Sequence, residues 1–206
     1  MVRLSLSVCY SSFNSDLVNL SGSRVCLLVG YSGLFTQSSS QVLIILVTCF
    51  SLNFLSCSLA TGFIFTYAVV VMPGFSKLND RDFIKAFQVT DGVIQNNQPL
   101  FMLTWVGSII SVISVIFFSI GNLELPYAWL IISVGATYLI GVQGITIAIH
   151  LPLNSHIQNI DIDKLDDQTL NEERLKFETR WVYFNKLRTG IGFIVTLLYL
   201  LVLIIR

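Results

Sequence analysis

Apolar residues along this chain gather into four long runs divided by two polar segments and one short break. The first run, from Val42 to Met72, exceeds the roughly 20 residues that a bilayer requires, so it must tilt, protrude or begin late. The second, Pro99 to Ile120, and the third, Pro126 to Ile149, are separated only by GNLEL and predict an antiparallel hairpin. The fourth runs from Thr189 to Ile205. The pattern predicts an all-α, multi-pass membrane protein: a four-transmembrane-helix bundle over residues 42–206, with spans at about 42–72, 99–120, 126–149 and 189–205.

Pro73, Pro99, Pro126 and Pro152 all fall at the edges of the runs, where a missing N–H is best tolerated. With four spans, the segments after the first and the third share one side of the membrane. They carry nine of the twelve Lys and Arg: Lys77, Arg81, Lys85, Lys164, Arg174, Lys176, Arg180, Lys186 and Arg188. The positive-inside bias puts that side toward the cytoplasm or its equivalent.

Composition agrees, with 54% hydrophobic and 12% charged residues against the roughly 25% charged that is usual for soluble domains. Twelve basic residues balance twelve acidic ones, which leaves no excess to hold a nucleic acid; the bilayer is the expected partner. Cys9, Cys26, Cys49 and Cys57 have no metal or disulfide spacing, and neither metal nor cofactor is expected. The first 41 residues differ in kind: eleven serines, no Lys and no Glu precede residue 41, as in a poorly ordered tail or a targeting segment.

No Asp, Glu, Lys or Arg falls within the predicted spans, against an ion-coupled transporter. Small, weakly polar residues recur there at helical spacing: Thr104, Ser108 and Ser111, then Ser133, Thr137 and Gly141, then Thr189, Gly192 and Thr196. Such faces let helices approach closely in lipid. Asn53 either bonds across the bundle or marks the true start of the first span near Leu52.

Candidate chemistry lies between the spans, on two amphipathic interfacial helices at one face. From Asn79 to Gln98, an N-cap at Asn79 or Asp80 precedes Phe83, Ile84, Phe87 and Ile94 at helical spacing. Asp91 sits beside this stripe, either as a buried carboxylate, and so a site candidate, or solvated at its edge. The second helix starts near Thr169 and leads into the fourth span, with Phe177, Trp181, Asn185 and Arg188 on one face. An indole, an amide and a guanidinium together can grip a planar, oxygen-bearing molecule. Periodicity alone favours the plainer role of membrane-boundary anchors.

Four strings carry a resemblance: TGFIFTYAVVVMPGFSKL in the first span, GVIQNNQPLF before the second, GVQGITIAIHLPLNSHI ending the third and RWVYFNKLRT before the fourth. Over about residues 55–200 the chain resembles the anthrone oxygenase-like family of small four-span membrane proteins. Members acting in fungal polyketide pathways oxidise an anthrone to an anthraquinone with molecular oxygen, without metal or flavin. The resemblance implies such an oxidoreductase, acting on a lipophilic aromatic substrate, with Pro152, Asn154, Trp181, Asn185 and Arg188 at the motif positions. The chain departs from the pattern at His150, where members often have Asn, and at Lys186, where they often have His.

Such chemistry needs a base to remove an acidic C–H and donors to hold the enolate. His150 or His156 can be the base, with Asp91 and Arg188 as further catalytic candidates and Asn154, Trp181 and Asn185 as substrate-binding ones. The alternatives are a non-catalytic membrane protein whose motif residues seal helix ends, or a carrier of a neutral lipophilic compound.

Overall fold

The computed structural model describes residues 47–124 and 126–205. The Ser-rich tail over 1–41 lies outside them. Among the described residues there is no strand. Five helices follow one another: α1 Val47–Phe75, α2 Asp80–Gln95, α3 Pro99–Ile120, α4 Ala128–Gln158 and α5 Asp167–Ile205, with a short 3-10 turn at Ile162–Lys164 before α5. Helices α1, α3, α4 and α5 are each long and apolar enough to cross a membrane.

The segment expected as a second interfacial helix and the fourth span are one rod, α5. Nothing between Asp167 and Arg188 is Pro or Gly, so no backbone N–H is lost and the helix continues for 39 residues. At 1.5 Å per residue it is about 58 Å long, roughly twice the hydrocarbon thickness of a bilayer. Asp166 caps its start by accepting from the Thr169 N–H at 2.8 Å. The Thr169 side-chain hydroxyl, together with that backbone N–H, holds the Asp166 carboxyl below the usual carboxylate range.

The prolines divide into two kinds. Pro99 is at the first position of α3 and Pro126 precedes α4, both as expected, but Pro73 and Pro152 lie inside α1 and α4. A proline inside a helix removes a donor and crowds the carbonyl four residues back. Here a widened π turn precedes each. Over Tyr67–Val71 the Met72 N–H reaches back five residues to the Tyr67 carbonyl, and over Thr146–His150 the Leu151 N–H does the same to Thr146. A third π turn spans Leu139–Gly144. Such turns re-aim the side chains that they carry and cluster at functional sites.

Within the bundle, Phe50, Cys57, Val112, Tyr138, Val195 and Tyr199 form the dry core. Asn53 is fully buried, and its Oδ1 accepts from Ser111 of α3 at 3.3 Å, so it bonds across the bundle. The small faces behave unequally. Gly192 lies so close to Thr61 that an added Cβ would stand 2.8 Å from its Oγ1, and Gly141 stands as tightly against Ile191. Ser133 and Thr137 instead face outward, their hydroxyls spent on the carbonyls of Trp129 and Ser133; the close approach on that stretch of α4 is made by Gly135 against Ile116.

Helix α2 packs on the end of the bundle. Asn79 caps it, accepting from the Asp82 N–H at 2.9 Å, and Phe83, Ile84 and Phe87 are buried against Ile157, Leu170, Phe177 and Trp181. Each such side chain contributes about 1.5–3 kcal/mol by leaving water. Polar clasps fix the packing: Gln88 donates to the Ile157 and Ile160 carbonyls, Arg81 to those of Ile162 and Leu165, and Arg174 pairs with Asp80 and Glu178.

Candidate active-site cavity

Where α2 meets the bundle, side chains from all five helices enclose a cavity of about 280 Å³, close to the lower end of the roughly 300–1,000 Å³ typical of small-molecule sites. Its apolar walls come from Ile64, Phe63, Phe87, Phe101 and Val142, and its polar ones from Tyr67, Asp91, Gln143, His150, Asn154 and Arg188, with Trp181 between. All three π turns contribute a polar lining residue: Tyr67, Gln143, and Thr146 with His150.

Arg188 and Trp181 do not anchor the helix in the headgroups, as periodicity alone suggested. Both are buried and turned into the protein, because this face of α5 packs on α1 and α4 rather than on lipid. The Arg188 guanidinium lies 5.8 Å from the Trp181 ring centre. Its Nε and Nη2 donate to Asn185 Oδ1 at 3.0 and 2.8 Å, and Nη1 donates to Thr146 Oγ1 at 2.9 Å. No ion pair among the described residues includes it. A buried cation without a counter-ion is costly, and of its five N–H groups two remain for a ligand.

Asn185 lies behind the cavity rather than in its wall. It is fully buried, donates to the Ile64 carbonyl at 3.2 Å and accepts from Arg188. It therefore holds the guanidinium in place from outside the lining, whereas a direct substrate-binding part was expected for it.

Asp91 is 3% exposed, which removes the solvated alternative. Three amide donors converge on its carboxyl: Asn154 at 2.8 Å, Gln95 at 2.9 Å and Gln158 at 3.2 Å. Asn154 in turn accepts from the Trp181 indole N–H at 2.9 Å. Asp91, Asn154 and Trp181 are thus a hydrogen-bonded file along one wall, fixing the indole that lies under Arg188.

His150 packs edge-on to Trp181 with ring centres 5.0 Å apart. It is buried and neither ring nitrogen has a hydrogen-bond partner at close geometry, the Phe184 carbonyl being a weak backbone acceptor for the ring. His156, the other histidine considered as a base, is exposed, bonds to Glu173 and takes no part in the cavity. Of the two departures from the family pattern, Lys186 is exposed and outside the wall, whereas His150 is in it.

Sequence reasoning missed Tyr67, Trp105, Gln143 and Thr146. Gln143 is a full amide inside the third span. It accepts from the Trp105 indole at 2.8 Å and donates to the Tyr138 and Ser108 oxygens at 3.1 and 3.3 Å. Its side-chain amide in an apolar run was the available signal, of the same kind as Asn53. Among the described residues no three His, Cys, Asp or Glu side chains gather as metal ligands.

Residues 98–198 match the family model described as anthrone oxygenase. The matched stretch holds α3 and α4, most of α5, and both motifs, and so five of the six residues expected at the site; Asp91 precedes it. No curated protein and no solved structure matches the chain.

Proposed function

We propose that this chain is a membrane oxidoreductase of the anthrone oxygenase type, which uses molecular oxygen on a lipophilic aromatic substrate held in the cavity beneath α2. The observation that carries this reading is the pairing of Arg188 with His150. One is a buried cation with no counter-ion and the other a buried imidazole with no side-chain partner and only a weak backbone acceptor at Phe184, and both line the same largely apolar space. An apolar molecule with an acidic C–H conjugated to a carbonyl fits both demands, since its carbon gives the base a proton to take and the resulting enolate oxygen supplies the missing anion.

In the reaction, the imidazole of His150 removes a proton from the ring methylene of the anthrone. The charge passes through the ring to the carbonyl oxygen, where the two remaining N–H groups of Arg188 receive it. The electron-rich carbon then reacts with oxygen. Overall the methylene becomes a carbonyl, one oxygen atom enters the ring system and the other leaves as water, so one O2 is consumed for each quinone formed. Asn154 and Asp91 hold Trp181 flat under the guanidinium, and Asn185 fixes the guanidinium itself. The largely apolar walls around the oxyanion strengthen its pairing with Arg188.

The test is oxygen uptake by purified protein in detergent with a panel of anthrones, read together with the visible absorbance of the quinone. Activity in the wild type that is lost in Arg188→Ala and His150→Ala supports the reading. Silence of the wild type across the panel overturns it. A non-catalytic reading draws on the same hydrogen bonds, because Asn154, Asn185 and Trp181 also lock helices together. It expects the substitutions to lower folded protein instead of turnover.

A further inference from the structure

Three lining residues of the cavity carry a hydroxyl: Tyr67, Thr104 and Thr146. The threonines have spent their protons within their own helices, Thr104 on the Leu100 carbonyl at 2.9 Å and Thr146 on the Val142 carbonyl at 2.7 Å. The buried amide and indole donors of the wall are engaged as well, Asn154 on Asp91, Gln143 on Ser108 and Tyr138, Trp105 on Gln143 and Trp181 on Asn154, while Asn97 stands at the exposed rim. The phenol of Tyr67 makes no hydrogen bond among the described residues, yet the residue is buried.

Its placement is built. Tyr67 opens the π turn before Pro73, its ring rests 5.7 Å from that of Trp181 and 5.1 Å from that of Phe63, and it lies within electrostatic reach of both Asp91 and Arg188. The π turn matters because an unwidened helix would aim position 67 along a different line. A neutral O–H therefore joins the unpartnered imidazole and the half-used guanidinium around one space.

We infer that Tyr67 is the acid of this site, the group that gives a proton to the oxygen atom leaving as water. The inference rests on the oxygenase reading above. Once oxygen has joined the ring carbon and the proton that His150 first removed has passed to the distal peroxide oxygen, the adduct is a hydroperoxide with one hydrogen still on that carbon, and the imidazole is neutral again. His150 takes this hydrogen as a proton, its bonding pair becomes the second bond of the new carbonyl, and the O–O bond breaks. The distal oxygen departs as hydroxide and takes the Tyr67 proton to become water. The proton held by His150 then restores the phenol, so that proton and electron counts close with O2 as the sole oxidant. Without an acid the leaving group is hydroxide in an apolar cavity, and the step stalls at the hydroperoxide.

The experiment compares wild type with Tyr67→Phe, and with the isosteric replacement of Tyr67 by 3-fluorotyrosine, in oxygen uptake and quinone formation. Tyr67→Phe is expected to lower kcat for quinone at least tenfold with KM within twofold, and to leave a peroxide-positive adduct or free hydrogen peroxide. The fluorinated side chain keeps the fold and is expected to move the alkaline limb of the rate profile to lower pH. Wild-type rates and no peroxide in Tyr67→Phe overturn the inference while leaving the oxygenase reading standing. If Tyr67→Phe does not fold, an unmoved alkaline limb in the fluorinated protein overturns it alone. A wild type silent with every anthrone overturns both.

Discussion

Two N–H groups of Arg188 converge on one oxygen of Asn185, three residues earlier on the same helix. The amide thereby turns the guanidinium inward, and its own N–H group ties the pair to the Ile64 carbonyl of α1. This contact joins two spans and aims the charge of the site.

Asn185→Ala removes both functions together. It leaves Arg188 buried with fewer acceptors, and an unsatisfied buried group costs about 1–3 kcal/mol. Thermal melting in detergent should show destabilisation of that order, and turnover should fall through misplacement of Arg188. An unchanged melting curve contradicts the structural part.

Arg188→Lys keeps the charge but replaces a planar fork by a point donor. Lysine cannot bond Asn185 and Thr146 together while leaving two aligned N–H groups for an oxyanion. Turnover should fall at least tenfold, a change of about 1.4 kcal/mol or more in transition-state stabilisation, whereas folded yield stays near that of wild type. Steady-state oxygen uptake beside size-exclusion profiles separates the two.

Asp91→Leu confronts three amide donors with a side chain that accepts nothing. Loss of a buried acceptor by several donors is expected to cost about 2–4 kcal/mol, summed from the usual cost of unsatisfied groups. It should also release Asn154 from the Trp181 indole, which tryptophan fluorescence will detect as a shift in emission. Emission and melting both equal to wild type would remove the hydrogen-bonded file from the account.

Gly192→Ala places a methyl 2.8 Å from Thr61 Oγ1. Forced overpacking of this kind costs about 1–3 kcal/mol. The partner change Thr61→Ala opens the space, so the double variant should regain much of the loss. Additive effects in the double-mutant cycle would show that the two residues are not in contact.

The cap of α5 has a predictable pH dependence. The folded Asp166 carboxyl lies below its unfolded value of 3.8 because it accepts from Thr169. A depressed carboxyl contributes stability above the unfolded value, and that contribution disappears as pH falls through the folded one. Asp166 is fully exposed, so the effect is local. Amide exchange at Thr169 and its neighbours should quicken on acidification below about pH 4, the unfolded aspartate range, after correction for intrinsic rates. Asp166→Asn, which still caps, should not show that dependence.

Much was legible in the sequence because a bilayer imposes a coarse code. Apolar runs of sufficient length must become helices, since no water satisfies their backbone groups, and four such helices are present. The spacing of Phe83, Ile84 and Phe87 indicated which face of α2 is buried while leaving Asp91 beside it open, and that of Trp181, Asn185 and Arg188 placed them together on α5. Periodicity puts residues on one face, but it does not say whether lipid or protein lies opposite. Only packing decided that Arg188 points inward, that Asn185 stands behind the cavity wall and that His150 is in it while His156 is not. The π turns before Pro73 and Pro152 were likewise invisible to a 3.6-residue pattern, although they aim Tyr67, Thr146 and His150. Chain chemistry determined the helices and their polar faces; the tertiary structure alone decided that the groups of Tyr67, His150 and Arg188 meet across three helices, because that depends on contacts between residues far apart in sequence.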